Sequence, residues 1–177
     1  MPIKINFSNK VSSNSSANAV LFADQKFNIN GLKKYFSSTE FSYINDLLKS
    51  SDLKKNMFVF EVNSKKKIVL ISIKKDLKSF GVENLGAEFY GRINHGKNSE
   101  YFLYSDSLIG KHENFIGHFL HGLKLKSYEF NKYKTKKETR LISVNVVGIK
   151  NKPSVQTQLN FKALEEGTFY ARDLVSK

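Results

Sequence analysis

Cysteine and tryptophan are absent from this chain of 177 residues, and no long apolar run occurs in it. Without cysteine the chain has no disulfide, no thiolate nucleophile and no cysteine-ligated metal. No segment approaches the roughly 18 to 20 apolar residues that a membrane span needs, and the amino-terminal segment MPIKINFSNK has no apolar signal core. We therefore expect a cytoplasmic protein that has no membrane partner.

Arginine is scarce although the net charge is +13, because only Arg92, Arg140 and Arg172 are found among the 29 basic residues. Such a charge would suit nucleic acid or an anionic membrane. Proteins that bind phosphate favour arginine for its bidentate fork, however, and this chain uses lysine instead. We interpret the lysines as a solvated surface, with an anion-binding surface as the alternative.

The composition is that of a folded domain, since 40% of the residues are apolar and 13% are aromatic. Alternating or continuous apolar residues predict strands at 3–7, 19–23, 57–62, 67–73, 99–104 and 139–149. Helical spacing predicts helices at 39–49 with Thr39 as cap, from 82 to near His95-Gly96, at 115–125, and at the carboxyl end.

The order of these segments predicts an α/β fold: a three-layer sandwich with a mixed, mostly parallel sheet between helices. The link NSKKK between the strands at 57–62 and 67–73 is short enough for a hairpin. We therefore expect these two strands to be antiparallel neighbours within an otherwise parallel sheet.

No catalytic or metal-binding residue is predicted from the motifs. His112-Glu113 lacks the second histidine of a zinc helix, since Ile116 stands in its place. His118 and His121 are three residues apart, but no acidic residue accompanies them on that face, and we interpret them as partly buried or surface histidines. Glu165-Glu166 are adjacent and would point about 100° apart on a helix, which indicates solvent-facing charges.

The segment YEFNKYKTKK, from Tyr128 to Lys137, combines aromatic and basic residues. Its aromatic side chains, Tyr128, Phe130 and Tyr133, are suited to anchor a loop on the domain. Its lysines would then face water or the phosphate backbone of DNA. These candidate anion or DNA contacts are Lys132, Lys134, Lys136 and Lys137.

The last eighteen residues, NFKALEEGTFYARDLVSK, have helical spacing, and Pro153 and Ser154 supply a breaker and a possible N-cap upstream. We expect one buried face, formed by Ala163, Leu164, Gly167, Tyr170, Ala171, Leu174 and Val175. No capping residue follows Val175. We interpret this segment as a helix that leads on to a further part of the polypeptide.

Two segments resemble signatures of the leucyl aminopeptidase (cytosol aminopeptidase) family. GLKLKSYEFNKYKTKKE, from Gly122 to Glu138, resembles "GxxLGSYxFDxYKTKKKE", and ALEEGTFYARDLVSK resembles "AxxEGxxxARDLVN". Lys126 replaces a glycine of the first signature, and Asn131 replaces an aspartate. The matching residues include Gly122, Leu125, Ser127, Tyr128, Phe130, Tyr133, Lys134, Thr135, Lys136, Lys137 and Glu138 in the first segment, and Ala171, Arg172, Asp173 and Leu174 in the second.

The resemblance implies a non-catalytic, macro-domain-like amino-terminal domain at 1–153 and a helix at 154–177 that leads toward a catalytic domain. Family members are metal-dependent exopeptidases that hold two divalent ions, zinc or manganese, in that second domain and assemble as hexamers. Their catalytic motifs do not occur in these 177 residues, so this chain alone is expected to bind no peptide substrate and to be inactive.

A second hypothesis is a stand-alone binding module, either for DNA or for an ADP-ribose-like ligand. The basic charge favours DNA, with weak binding. The chain has no glycine-rich turn between a strand and a helix, which argues against the nucleotide. Gly81, Gly86 and Gly91 are spaced by five and are predicted to lie along a helix.

Overall fold

The computed structural model describes residues 3–10, 17–94, 99–110, 113–129 and 141–175. Within these residues the strands are β1 (Ile3–Ser8), β2 (Asn18–Asp24), β3 (Met57–Glu61), β4 (Lys67–Ile73), β5 (Ser99–Tyr104) and β6 (Ile142–Val147). The α-helices are α1 (Ser38–Lys49), α2 (Ser79–Ile93), α3 (Phe115–Lys126) and α4 (Val155–Val175), and short 3-10 helices lie at Asn30–Tyr35 and Ser105–Ser107.

The strands form one sheet in the order β1-β6-β5-β2-β4-β3. Four of the five strand pairings are parallel, and only β3 and β4 are antiparallel. The mixed, mostly parallel sheet is confirmed, and so is the hairpin. Its register places Glu61 opposite Lys67, and their side chains form an ion pair of 2.8 Å.

Strand β2 lies inside the sheet, and its side chains alternate between two apolar cores. Val20 and Phe22 pack in the core beneath α2 and α3. Ala19, Leu21 and Ala23 pack in the core beneath α1 and the 3-10 helix at Asn30–Tyr35. The run AVLFA is continuously apolar because helices cover both faces of this strand. The three-layer α/β architecture is confirmed.

Helices α2 and α3 touch through their backbones. A Cβ atom on Gly86 would lie 1.9 Å from the backbone oxygen of Phe119, and one on Gly122 would lie 1.9 Å from the backbone oxygen of Glu83. No side chain fits at such distances, so glycine at both positions lets the two helices approach closely. This contact sets the position of α3, on which α4 packs.

Helix α1 begins at Ser38, one residue earlier than predicted. Its N-cap is Ser37 and not Thr39: the Ser37 hydroxyl accepts a hydrogen bond of 3.2 Å from the Glu40 amide, and the Glu40 carboxylate accepts one of 2.9 Å from the Ser37 amide. This reciprocal arrangement is a capping box. The glutamate three residues after Ser37 therefore decides which of the neighbouring hydroxyl residues caps the helix.

Other element ends also differ from the predictions. The 3-10 helix at Asn30–Tyr35 was not predicted, and β6 ends at Val147 because Gly148 takes a φ of +145° and turns the chain. Helix α2 ends at Ile93, with Asn94 as its C-cap, and the predicted end at His95-Gly96 lies outside the described residues. Among the described helices, none has the length and hydropathy needed to cross a membrane.

Candidate functional site

Helix α4 is the element to which the second family signature belongs. The Ser154 hydroxyl accepts a hydrogen bond of 3.1 Å from the Thr157 amide, which confirms Ser154 as the N-cap. Pro153 precedes this cap and is buried. The helix then runs without interruption to Val175 and presents two apolar faces, an inner face toward α3 and an outer face away from it.

The inner face of α4 consists of Phe161, Glu165 and Phe169, spaced by four residues. The Phe161 ring lies 4.8 Å from the His121 ring and 5.0 Å from the His118 ring, measured between centroids. A Cβ atom on Gly117 would lie 2.8 Å from Phe161 Cε2. Glycine at position 117 of α3 therefore makes the space into which the Phe161 ring inserts.

Glu165 lies in the middle of this contact and is only 3% exposed. Its carboxylate is 3.1 Å from His121 Nδ1 and 2.9 Å from Lys124 Nζ. The prediction that Glu165 faces solvent is wrong, because the register of α4 turns it toward α3, whereas Glu166 is exposed as predicted. A buried carboxylate that is fully paired fixes how α4 rotates on α3, since any other register would leave the charge without partners.

The two signature segments meet at the far end of this contact. The Tyr128 hydroxyl donates a hydrogen bond of 2.5 Å to Asp173 Oδ1, and this bond raises the pKa of the Tyr128 phenol. The Tyr128 ring stacks on Phe169 at 5.2 Å between centroids, and the Arg172 guanidinium lies 5.4 Å from the same ring. Arg172 Nη1 also donates to the backbone oxygen of Leu125 at 2.8 Å, near the carboxyl end of α3.

Two further signature residues support the end of α3. Gly122 permits the backbone contact with α2, and Ser127 is buried and donates from its hydroxyl to the backbone oxygen of Lys124 at 2.8 Å. We name Gly122, Ser127, Tyr128, Arg172 and Asp173 the signature cluster. Its members hold α2, α3 and α4 together. Leu125, also of the first signature, lies in α3, and the remaining residues of that signature and the candidate DNA contacts lie outside the described residues: Phe130, Lys132, Tyr133, Lys134, Thr135, Lys136, Lys137 and Glu138.

The outer face of α4 is the stripe that was predicted to be buried, and that prediction is wrong. Tyr170 is 67% exposed and Leu164 is 59% exposed. The stripe has the helical spacing of a packed face, but the inner face is the one that covers α3. The seven residues of the predicted stripe are all exposed, and Leu159, also exposed, lies beside them: Ala163, Leu164, Gly167, Tyr170, Ala171, Leu174 and Val175.

Gly167 lies near the middle of the outer face. A Cβ atom at this position would meet no atom within 4 Å. Glycine in the interior of a helix costs about 1 kcal/mol relative to alanine, and nothing in the described structure requires it here. Ala171 and Leu174, two of the four residues named above for the second signature, share this face and point away from the domain.

The histidines of α3 do not form a metal site. His118 Nδ1 lies 2.8 Å from a carboxylate oxygen of Glu83 on α2, whereas His121 pairs with Glu165 on α4. The acidic partners come from other helices, which inspection of α3 alone could not reveal. Within the described ranges, no group of three or more His, Asp or Glu side chains is arranged to hold a metal ion. These residues therefore do not fit the pair of divalent ions that the family resemblance implies.

The loop after β6 bears on the nucleotide alternative, because it lies at the carboxyl edge of the sheet, where such ligands bind in open α/β folds. Its backbone amides at Ile149 and Lys150 donate to the Asp106 carboxylate at 3.0 and 2.6 Å. Donors that could hold a phosphate are therefore already used by Asp106. The glycines Gly81, Gly86 and Gly91 lie along α2, as their spacing predicted.

With this geometry established, the chain can be compared with known proteins. No family model matches it, and no curated protein matches it in sequence. It is similar in fold to tomato leucine aminopeptidase. The TM-score to a mutant of that enzyme is 0.69, with 14% sequence identity. The match covers 99% of this chain and 38% of that chain, so this chain spans well under half the length of its structural neighbour. At this identity the likeness shows the fold.

Proposed function

We propose that this chain is the non-catalytic amino-terminal domain of a leucyl aminopeptidase, a metal-dependent exopeptidase that releases amino-terminal residues from peptides. We assign 1–153 to this domain and 154–177, which contains α4, to the connection with the catalytic domain. In this proposal the catalytic domain holds the two zinc or manganese ions, and the complete enzyme is a cytoplasmic hexamer.

The observation that carries the proposal is the division of the second signature between the two faces of α4. Arg172 and Asp173 bind the helix to Tyr128 and to the end of α3. Ala171 and Leu174 lie on the outer face, together with an unexplained glycine. A signature that both anchors a helix and presents an apolar surface suits a connection between two domains. The fold shared with tomato leucine aminopeptidase over 38% of that chain is compatible with one domain of such an enzyme.

Activity measurements test this proposal directly. The 177-residue chain should not hydrolyse leucyl-anilide substrates with added zinc or manganese, because hydrolysis by two metal ions needs carboxylates that converge on both ions. A polypeptide from the same open reading frame that continues past Lys177 should hydrolyse them. Metal-dependent turnover by the 177-residue chain would contradict the assignment of the chemistry to another domain.

Two matched substitutions test the outer face. Tyr170 on α4 and Phe80 on α2 are both aromatic and helical, with exposures of 67% and 64%. In the longer polypeptide, Tyr170→Glu should weaken domain docking and reduce activity, whereas Phe80→Glu should leave both unchanged. In the 177-residue chain neither substitution should change the free energy of unfolding by more than about 0.5 kcal/mol. Equal effects of both in the longer polypeptide would argue against docking through α4.

A further inference from the structure

Strand β1 lies at one edge of the sheet, and no described strand pairs with its outer side. The Ser8 backbone oxygen accepts a hydrogen bond of 3.2 Å from the Gly148 amide, just after β6. Alternate residues of a parallel strand direct their backbone groups to the same neighbour, so Asn6 also bonds toward β6, whereas Ile5 and Phe7 point the other way. The backbone amides and carbonyls of Ile5 and Phe7 therefore form a short open ladder, to which no described residue bonds.

An apolar groove lies beside this open edge, between β1, α3 and α4. Ile5 and Phe7 line it, together with Leu120 of α3 and Leu159 of α4. Its volume is about 290 Å³. Small-molecule sites usually measure about 300 to 1,000 Å³, so this groove is better suited to single apolar side chains than to a whole ligand.

The charged side chains that line the groove already have partners. The Glu165 carboxylate lies 3.1 Å from His121 Nδ1 and 2.9 Å from Lys124 Nζ. Lys162 Nζ lies 3.9 Å from the Glu166 carboxylate. The features that remain open to a partner are therefore the apolar surface and the backbone ladder of β1.

The two segments that border this edge are basic. Residues 3–10 include β1, and residues 148–155 follow β6. Together they contain four lysines and no acidic residue: Lys4, Lys10, Lys150 and Lys152. A second copy of this chain would bring the same charges to the edge, and like charges on paired strands are destabilising. An acidic strand therefore fits this edge better than a second copy does.

We infer that the outer edge of β1 binds an acidic peptide segment of another protein as an additional strand of the sheet. The backbone of the segment pairs with Ile5 and Phe7, and its apolar side chains lie at alternate positions in the groove. Its acidic side chains lie between them, on the side of the sheet where Lys4 is exposed. In this mode of recognition the backbone supplies affinity and the groove supplies specificity. The inference rests on this edge alone and does not depend on the proposed function.

Peptide titrations into the ¹⁵N-labelled 177-residue chain test the inference. The probe is acetyl-EVTVEVT-amide, in which valine alternates with glutamate or threonine. It should bind with saturation and slow the hydrogen exchange of the Ile5 and Phe7 amides, because an added strand would accept hydrogen bonds from them.

Strand β3, at the opposite edge of the sheet, provides the control amide. The Ser72 amide donates to the Asn56 backbone oxygen at 2.8 Å, so Asn56 bonds toward β4. Val59 is three residues further along and therefore points outward, as Ile5 and Phe7 do. Its hydrogen exchange should not change when the probe binds.

Two altered peptides test recognition of charge and of alternation. KVTVKVT reverses the charge of the probe, and EEVVVTT keeps its composition but loses the alternating order. Each should bind about tenfold more weakly, because the first meets the lysines of the edge with like charge and the second cannot place all its valines in the groove.

Methylation of backbone nitrogens tests pairing with the strand itself. One version of the probe carries methyl groups on its three valine nitrogens, and another carries them on the glutamate and threonine nitrogens. Only alternate residues of an added strand donate hydrogen bonds to β1. One of the two versions should therefore lose saturable binding, and the other should bind as the unmodified probe does.

A matched pair of substitutions on α4 tests the groove. Leu159 and Leu164 are 55% and 59% exposed, so replacement of either by aspartate should leave the domain folded. Leu159 lines the groove, whereas Leu164 lies on the outer face. Leu159→Asp should weaken binding of the probe about tenfold, and Leu164→Asp should leave it unchanged.

Several results would overturn the inference. They are no saturable binding of the probe, equal binding of either altered peptide, equal effects of the two methylated versions, and equal effects of the two leucine substitutions. Slower exchange at Val59 alone would place the binding at the opposite edge. Protection of Ile5 and Phe7 that grows with protein concentration, without peptide, would show that a second copy occupies the edge. None of these results would affect the activity measurements that test the proposed function, so the two can fail separately.

Discussion

Tyr128 and Asp173 are 45 residues apart in the sequence, and the phenol of one donates a hydrogen bond of 2.5 Å to the carboxylate of the other. The same tyrosine stacks on Phe169 and lies against Arg172. This corner joins the end of α3 to the end of α4. It therefore determines which side of α4 covers the domain and which side faces outward.

Tyr128→Phe tests the corner, because it keeps the ring on Phe169 and removes the hydrogen bond to Asp173. We expect the free energy of unfolding to fall by about 1 kcal/mol or less, since this bond is exposed to solvent. Amide hydrogen exchange should accelerate in residues 169–175 and remain unchanged in α2 and α3. Tyr170→Phe removes a hydroxyl from the outer face and serves as the control. Unchanged exchange in Tyr128→Phe would show that the hydrogen bond does not hold the end of α4.

Two alanine substitutions should have opposite effects on the 177-residue chain. Gly122→Ala would place a Cβ atom 1.9 Å from the backbone oxygen of Glu83. We therefore expect the free energy of unfolding to fall by about 3 kcal/mol or more, which is at the upper end for overpacking. Gly167→Ala meets no atom within 4 Å and should stabilise the helix by about 1 kcal/mol. Urea unfolding measures both changes.

The Gly167→Ala substitution should also have different effects on stability in the 177-residue chain and in a longer polypeptide. If a neighbouring domain packs closely on the outer face of α4, the added methyl group should destabilise that contact although it stabilises the 177-residue chain. A gain of stability in both would show that Gly167 is not needed for close packing. Destabilisation of the 177-residue chain itself would contradict the exposed position of Gly167.

The positions of the strands followed from the sequence because the sheet is covered on both sides. Runs such as AVLFA and KIVLISI are recognisable only where both faces of a strand are buried. The fold class followed in turn from the order of these runs and from the short link between β3 and β4.

The orientation of α4 could not be predicted because both of its faces are apolar. Phe161 and Phe169 lie on the inner face, whereas Leu164 and Leu174 lie on the outer face, and periodicity alone does not distinguish them. Glu165 made the inner face harder to recognise. It lies four residues after Phe161 and four before Phe169, but its carboxylate was interpreted as a surface charge. Its partners, His121 and Lys124, lie more than forty residues earlier. The phenylalanines that flank Glu165 at four-residue spacing were the available signal.

The ion pair between Glu40 and Lys66 should make stability depend on acidic pH. Its N–O distance is 2.6 Å, and both side chains are largely buried, at 14% and 12% exposure. Burial acts to raise the pKa of Glu40, but hydrogen bonds from Lys66 and from the Ser37 amide outweigh it, so the pKa lies below its ordinary value of 4.5. The stabilisation is therefore complete above pH 4.5 and is lost as the pH falls through the lowered pKa.

Glu40→Gln should consequently destabilise the chain by about 1 to 3 kcal/mol at pH 7, and the difference from the parent chain should vanish once the pH has fallen well below the lowered pKa of Glu40. Urea unfolding at a series of pH values measures this difference. Asp46→Asn in the same helix is the control, because Asp46 pairs with Lys49 on an exposed surface where both side chains are 69% exposed. A pH-independent effect of Glu40→Gln would show that the ion pair is not its cause.

DNA binding, if the stand-alone hypothesis holds, should come from charge alone. The net charge of +13 is carried largely by lysine, so we expect non-specific binding with dissociation constants of about 10⁻⁴ to 10⁻⁶ M and a steep dependence on salt. Fluorescence anisotropy with two duplexes of unrelated sequence, at several salt concentrations, measures both properties. Substitution of Lys132, Lys134, Lys136 and Lys137 by glutamine should reduce the salt dependence. A salt-resistant complex that prefers one duplex would instead favour a dedicated DNA-binding module.

The adjacent glutamates Glu165 and Glu166 offer a final test of which face of α4 packs on α3. Glu165 is paired with His121 and Lys124 and almost fully buried, whereas the Glu166 side chain is 67% exposed. Glu165→Gln keeps the shape but leaves Lys124 without its charged partner, so we expect a loss of about 1 to 3 kcal/mol in the free energy of unfolding. Glu166→Gln should change it by no more than about 0.5 kcal/mol. If α4 instead covered α3 with its outer face, Glu165 would be solvated and the two substitutions would have equally small effects in urea unfolding.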